Sequence, residues 1–407
     1  MIREKYYCGL DIGDQKLKAG VLKIRDAGQV ELLGIYEKDT AGFREASVTD
    51  LGELSDCVHA TVNTLLQKTG VKLKEVHLGV GCDLVEIREA NTVIPLIDRG
   101  TKIITRRDTR RVNDQARLLS LQMDEEVLHD LPQYYVVDDL NKALDPGGLY
   151  GRKLGVHSLL VVANANRIRN IVRAVHQAGY DVPHVFFSSY AACEAALTDA
   201  ERAEGRVLVD IGSKATSILI IKDDVLKYLK KINAGGDRFT HRIAEALNLP
   251  FELAEEIKKS YATVLSFEEA MEEEILVKRE SVYKPIRRRE ICAAVAPEAQ
   301  RFLEELHQAL GESGLMEQIS QGIVMTGGGA LLTGLIERIG QATSRPVRLA
   351  KLNITSQRSV GNAALFSAVV GLAQKGFKQS LRYAFVPDGN WRKNLANRFR
   401  ELYHEYF

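Results

Sequence analysis

The sequence predicts an α/β fold of two similar domains facing each other across a cleft, with a small α+β unit set into the first. Three observations carry that expectation. A strand–Asp-Ile-Gly–strand pattern opens the chain at Asp11-Ile12-Gly13 and returns at Asp210-Ile211-Gly212, and such a long-range echo indicates duplicated units. The texture between residues 83 and 156 switches to short strands around one polar helix. Late in the chain an apolar strand at 323–326 runs into Gly327-Gly328-Gly329 and then a helix at 332–340.

Taken in order, residues 6–12 and 17–24 are apolar strands flanking the first turn. Residues 50–69 have helical spacing, with Leu51, Leu54, Val58, Val62 and Leu65 on one face. A strand at 76–80 follows, and the order strand, strand, helix, strand indicates α/β architecture. The insert offers strands at 84–88 and 92–96, a polar helix at 106–119 and a strand at 133–138. Residues 158–163 are a buried strand, and a helix at 166–178 ends at Gly179, a good residue just past a helix C-terminus. The second half repeats the opening with Val207-Leu208-Val209 before its turn and a strand at 217–221 after it. Helices are expected at 244–259 and 291–310, and the charged stretch 267–289 between them reads as a solvated helix and loop. A final apolar helix spans 360–372, and beyond Gly376 the texture is linker-like, with Pro387, Asp388 and Gly389.

The expected domains are therefore residues 1–83 with 158–204, the insert 84–157, and a second domain 205–375 whose helical part lies near 240–310. A linker, 376–390, and a terminal segment, 391–407, complete the chain.

Composition excludes several functions. Across 407 residues, 55 basic side chains face 54 acidic ones, so the formal charge is +1 and no global field favours nucleic acid as a partner. Cys8, Cys57, Cys82, Cys193 and Cys292 share no CxxC spacing and read as reduced thiols rather than a disulfide set or zinc site. Arg3, Glu4 and Lys5 precede an apolar run broken by Asp11 and Asp14, which is no signal peptide. No apolar run reaches the roughly 18 residues of a membrane span, so the chain is not expected to cross a membrane, although it could lie on one.

The candidate chemistry lies at the glycine turns. Gly13, Gly212 and Gly327 to Gly329 each follow an apolar strand and can present backbone N–H groups to phosphate. Asp11 and Asp210 end the first two strands, where carboxylates can hold Mg²⁺ through its water shell. One such turn alone is equally an Asp-capped hairpin. Two in matching positions, with the triple glycine, favour a Mg-nucleotide clasped between the halves.

These turns resemble those of the actin, Hsp70 and sugar-kinase superfamily: Leu10 to Gly13 and Val209 to Gly212 its phosphate loops, Val324 to Ala330 its adenosine motif. Within it the chain is similar to the bacterial cell-division family FtsA. Glu126-Val127-Leu128-His129, Leu131-Pro132-Gln133, Gly147-Gly148-Leu149-Tyr150-Gly151, Leu197 to Arg202, Ala254 to Lys258 and Leu352 to Thr355 carry that resemblance. It implies an actin-like (ribonuclease-H-like) two-domain fold with residues 84–157 as the family's extra subdomain, and ATP and Mg²⁺ as ligands. Asp11 would lie near the metal, Asp210 near metal and phosphates, and Gly327, Gly328 and Gly329 against the adenosine. Lys258 would lie by the ribose or adenine, although a lysine on that helix also reads as solvated. The implied role is a polymerising scaffold on the cytoplasmic face of the inner membrane, tethering the tubulin-like FtsZ ring and recruiting other division proteins. Alternatives are a scaffold like PilM of type IV pili, or a small-molecule kinase, for which no carboxylate base stands out.

The sequence also departs from the family pattern. Ser213 and Lys214 replace two glycines of the second loop; the serine can donate to phosphate, and the lysine either neutralises phosphate or points to solvent. Asp14, followed by Gln15 and Lys16, would repel a triphosphate unless metal-screened. Superfamily ATPases place Gln or Glu where this chain has Ser188 and Ser189, so hydrolysis is expected to be slow or absent and no catalytic residue is assigned.

At the end of the chain Trp391, Leu395, Phe399, Leu402, Tyr403 and Tyr406 share one helical face. Arg392, Lys393, Arg398 and Arg400 outweigh Glu401 and Glu405 on the other. That pattern fits an interfacial membrane helix or one docked on protein, and the resemblance favours the membrane. So modest a charge implies weak binding, made firm by many copies in a polymer.

Overall fold

Short runs of buried apolar residues set the two central strands. In Lys5–Ile12, Cys8, Leu10 and Ile12 are buried, and in Arg206–Ile211 so are Val207, Leu208, Val209 and Ile211. The computed structural model describes residues 4–25, 29–265, 273–279, 282–319, 321–356 and 361–384. Each central strand has an antiparallel hairpin partner on one side and a parallel strand on the other. Lys5–Ile12 lies between Lys16–Ile24 and His77–Val80; Arg206–Ile211 lies between Thr216–Lys222 and Ile323–Thr326. The register is equivalent too. Asp11 faces Lys18 and Gly79, while Asp210 faces Ser217 and Thr326.

The first sheet has six strands, in the order Val185–Phe187, His77–Val80, Lys5–Ile12, Lys16–Ile24, Val30–Asp39 and Thr355–Ser356. The second has five: Val225–Ile232, Thr216–Lys222, Arg206–Ile211, Ile323–Thr326 and Val347–Leu349. Parallel neighbours require a crossover. In the first domain the helix Leu51–Thr69 supplies it, capped by the Asp50 side chain on Glu53 N–H and closed by Gly70 at φ 69°. In the second, the helices Gly236–Leu247, Phe251–Tyr261 and Arg288–Glu312 intervene. These two matching domains bring the ends of both central strands to one cleft.

The insert is a four-stranded sheet in the order Asn141–Ala143, Glu125–Val137, Lys153–Asn164 and Val85–Pro95, covered by the helix Arg106–Ser120. The strand Lys153–Asn164 serves two cores at once. Leu154, Val156, Leu160 and Val162 enter the core of the insert, while Leu159, Val161 and Ala163 enter that of the first domain. Alternation along one strand thereby welds insert to domain. Two side chains from the family-like motifs add ties. The neutral imidazole of His129, its pKa pushed down to about 3 by burial, accepts the Phe187 N–H at 2.9 Å. Gln133 Nε2 donates 2.7 Å to the carbonyl of Leu226 in the second domain.

Several expectations are corrected. The two short strands at 84–96 are one, Val85–Pro95, and the expected strand at 158–163 is the end of Lys153–Asn164, because each runs the full length of the ladder they share. The charged stretch read as helix and loop contains a hairpin, Glu274–Arg279 with Val282–Arg287. Ile275 and Ile286 face each other in its register and are buried, a period of two that charge-based reading overlooks. The strand Val30–Asp39, largely half-exposed and paired on one side with only the short Thr355–Ser356, lies outside the expected elements.

Among the described residues the last helix is Ser367–Ala384, so part of the expected linker is helical. It packs on the first sheet and on the helix Ser188–Ala196, not on the second domain to which residues up to 375 were assigned. Glycine makes this possible. A Cβ on Gly371 would lie 1.8 Å from Ala191 O, and one on Gly9 would lie 2.1 Å from Val369 O. The expected membrane residues Trp391, Leu395, Phe399, Leu402, Tyr403 and Tyr406 lie outside the described residues.

Gly371→Ala should therefore destabilise the protein by about 2 kcal/mol or more, since backbone cannot yield as a side chain can. Gly311→Ala, near the end of the helix Arg288–Glu312 with nothing within 4 Å of the added atom, should stabilise it by up to about 1 kcal/mol. Urea denaturation of both variants measures the contrast.

Candidate functional site

The two Asp-Ile-Gly turns are built alike. Gly13 N–H donates to Lys16 O at 3.2 Å, and Gly212 N–H donates to Ala215 O at 3.0 Å. Between them lies a cavity of about 550 Å³. Asp11, Gly13, Asp210, Gly212, Ser213, Lys214, Lys258, Gly327, Gly328 and Gly329 all line it.

The triple glycine is a packing requirement at two of its three positions. Gly327 has φ 86°, and a Cβ there would lie 2.3 Å from Ile211 O and 2.6 Å from Asp210 Oδ1. A Cβ on Gly329 would lie 2.3 Å from Ile211 Cγ2. Gly328 meets only Leu365, at 3.8 Å, so its backbone faces the cavity without such crowding.

Adjacent serines hold the two carboxylates. Ser188 Oγ donates to Asp11 Oδ1 at 2.5 Å. Ser189 Oγ donates to Asp210 Oδ2 at 2.7 Å and lies 3.1 Å from Ser217 Oγ. Gly79 leaves room for the first pair, since a Cβ there would lie 2.5 Å from Ser188 Oγ. Burial raises the Asp210 carboxyl; the hydrogen bond from Ser189 opposes that shift, and the charge of Asp11 adds to it.

A hydrated divalent cation fits this pair. Each carboxylate gives one oxygen to a serine, and a cation would relieve the repulsion between Asp11 and Asp210. Among the described residues no three His, Cys, Asp or Glu side chains cluster as metal ligands. A cation here would therefore complete its shell with water and a bound anion, as Mg²⁺ usually does.

Lys258 is not a solvated helix lysine. Its Nζ donates to Gly236 O at 2.9 Å and Thr240 Oγ1 at 2.8 Å, and pairs with Glu255 at 2.6 Å. Burial lowers its pKa, with Glu255 opposing. Lys214 reaches across the cleft, 3.4 Å from Asp14 and 3.8 Å from Glu45. Beside it Gln15 Nε2 donates to Asp237 Oδ1 at 2.5 Å.

Two features escaped the sequence reading. Lys18, opposite Asp11 in the first hairpin, lines the cavity and donates to Leu365 O at 3.0 Å. Strand alternation from Asp11 across the turn would have flagged it. Gly235 and Gly236 open the helix Gly236–Leu247 against the second loop, with Gly236 N–H donating to Gly212 O at 2.9 Å and Asp237 N–H to Ser213 O at 2.8 Å. A Cβ on Gly235 would lie 2.4 Å from Ser213 O. The paired glycines before a helical pattern were the available signal.

Comparison with known proteins agrees with this architecture. The family described as cell division protein FtsA matches residues 207–371, and the SHS2 domain inserted in FtsA matches residues 84–162. The chain is 27% identical over 377 residues to the cell division protein FtsA of Streptococcus pneumoniae, covering 92% of this chain and 80% of that one. It is 25% identical over 414 residues to the FtsA of Escherichia coli K12, covering 98% of each. Among solved structures it resembles the PilM-PilN type IV pilus biogenesis complex, with TM-score 0.67, 18% identity, and 91% and 98% coverage. It also resembles MreB5 of Spiroplasma citri bound to ADP, with TM-score 0.53, 13% identity, and 94% and 99% coverage. At these identities the structural likeness establishes the actin-like fold.

The raised Asp210 carboxyl makes a testable statement about stability. Its ionised form costs folding free energy above the unfolded value near 3.9, and the cost vanishes below it, where both states are protonated. Asp210→Asn should therefore raise the melting temperature at pH 7, with the advantage shrinking as pH falls through about 4. Thermal melts across that range measure it.

Proposed function

The chain belongs to the FtsA family of cell-division proteins, and from that premise we propose that it binds ATP with Mg²⁺ in the cleft and acts as a polymerising scaffold tethering an FtsZ-like ring to the cytoplasmic face of the cell membrane. The observation that carries the nucleotide reading is the convergence of both Asp-Ile-Gly turns and the triple glycine on one cavity. Solved MreB5 of Spiroplasma citri, of similar fold, is bound to ADP in one structure and AMPPNP in another, which supports the same ligand class.

In this reading Lys18 and the main-chain N–H groups of the two loops other than those of Gly13 and Gly212, which close their own turns, face the phosphates, and Gly328 lets the adenosine approach the backbone. Mg²⁺ held by Asp11 and Asp210 supplies positive charge to the phosphate chain. Ser188 and Ser189 orient those carboxylates. Both hydroxyls already donate to them, and an alkyl hydroxyl is far too weak a base to activate water. The nucleotide therefore serves as a clasp joining the domains more than as a fuel.

Family membership supports the division role, with FtsZ and other division proteins as partners and self-polymer as the working form. No helix among the described residues is long and apolar enough to cross a membrane, so attachment falls to the amphipathic segment beginning at Trp391. The likeness to the PilM-PilN complex supports a second reading, a scaffold of another membrane machine.

Two measurements test the proposal. With Mg-ATP saturating, binding should be seen by calorimetry, while single-turnover hydrolysis stays below about 1 s⁻¹, the low end of ordinary turnover. In flotation with anionic phospholipid vesicles, the full chain should float and carry FtsZ polymers with it. Deleting residues 391–407 should leave nucleotide binding intact and cut vesicle binding at least about tenfold. Undiminished flotation would defeat the membrane assignment, and flotation without FtsZ would favour the other machine.

A further inference from the structure

Three segments distant in sequence meet on one lysine at the mouth of the cleft. Lys214 lies on the turn between Arg206–Ile211 and Thr216–Lys222, with Nζ 3.4 Å from Asp14 Oδ2 and 3.8 Å from Glu45 Oε1. The Asp14 side chain is only 10% exposed and that of Lys214 35%, so the pair is partly withdrawn from solvent. Asp14 is fixed from behind, because Ala46 N–H donates to its Oδ1 at 3.2 Å.

That donor comes from a hairpin, Phe43–Arg44 with Ser47–Val48, whose central residues Glu45 and Ala46 have φ 52° and 55°. Left-handed backbone at two successive non-glycine residues is the geometry of a tight two-residue hairpin turn, and it carries a cost that surrounding contacts must offset. Here the turn delivers the Ala46 N–H to Asp14 and the Glu45 carboxylate towards Lys214. Thr40 anchors the same segment, its Oγ1 donating to Gly13 O at 2.7 Å.

The other lysines lining the cavity are engaged within their own domains or on a carbonyl. Lys16 pairs with Asp39, Lys258 and Lys259 pair with Glu255, and Lys18 donates to Leu365 O. Among the described residues lining the cavity, Lys214 is the lysine whose carboxylate partner belongs to the opposite domain. Asp14 lies one residue beyond Gly13, and Lys214 two beyond Gly212. Both line the same cavity as Gly327, Gly328 and Gly329, so a phosphate chain extending from those glycines between the two loops would meet this pair.

We infer that the Asp14–Lys214 pair sets how strongly the cleft distinguishes a nucleoside triphosphate from a diphosphate. The third phosphate meets a lysine that attracts it and a carboxylate that both repels it and competes for that lysine. To bind there it must take Lys214 from Asp14. A diphosphate stops short and leaves the pair intact. The two charges largely offset, so the native chain gains little from the third phosphate. This inference rests on the nucleotide reading above, which ADP binding by the native chain tests separately.

Calorimetry with Mg-ADP and with the non-hydrolysable analogue Mg-AMPPNP, on the full chain, provides the test. The native protein should bind the two within about threefold. Asp14→Asn should tighten AMPPNP about tenfold and ADP less than about threefold, since one repulsive charge is lost and Lys214 is released. Lys214→Met should weaken AMPPNP at least about tenfold, again with little change for ADP.

A double-mutant cycle in thermal stability supplies the second readout. Coupling between the two substitutions should be present without nucleotide, persist with saturating ADP and disappear with saturating AMPPNP. Equal shifts for both nucleotides, no shift in either, or coupling that survives AMPPNP would reduce the pair to a structural strut and overturn the inference. If the native chain binds neither nucleotide, the nucleotide reading fails and this inference with it.

Discussion

Two neighbouring serine hydroxyls couple the halves of this molecule. Ser188 holds Asp11 of the first central strand, and Ser189 holds Asp210 of the second. Both serines occupy the first turn of the helix Ser188–Ala196, so the spacing of the two carboxylates is set by one rigid turn. That helix is in turn seated by Ser367–Ala384, which approaches so closely at Gly371 that no side-chain atom fits between the backbones. The site thus depends on the packing of two helices against the first sheet, and the second domain joins through Asp210.

Charge in the cleft is distributed unevenly. The floor is acidic, with Asp11 and Asp210 close enough for one to raise the other. Lysines stand around the walls, most already partnered. Lys258 is so occupied by Glu255, Thr240 and Gly236 that it works as a buried strut for the helix Gly236–Leu247 as much as a ligand group. Cations committed in this way keep the cleft preorganised, and an incoming anion has to exchange partners rather than simply find bare charge. Lys214 is where that exchange crosses the domain boundary.

The insert follows a different logic. It has its own core, yet one of its strands alternates residues into the core of the first domain, and His129 and Gln133 reach the strand Val185–Phe187 and the second domain. A subdomain fastened at three places moves with the body that carries it. Any surface carried on so rigid an element keeps its geometry.

The sequence by itself determined the local grammar. Asp11-Ile12-Gly13 and Asp210-Ile211-Gly212 announced two equivalent hairpins, Gly327 to Gly329 a turn between strand and helix, and residues 106–119 a polar helix. These are legible because glycine placement, capping and strand or helix period act over a few residues. Lys18, Gly236 and the hairpin at Ile275 and Ile286 left local signals that charge and motif reading passed over, whereas tertiary structure alone decided that Ser367–Ala384 returns to the first sheet. It also decided that Lys214 meets Asp14, about two hundred positions away, rather than solvent. Such pairings depend on which surfaces pack once the cores have formed, and a chain read one window at a time carries no record of that choice.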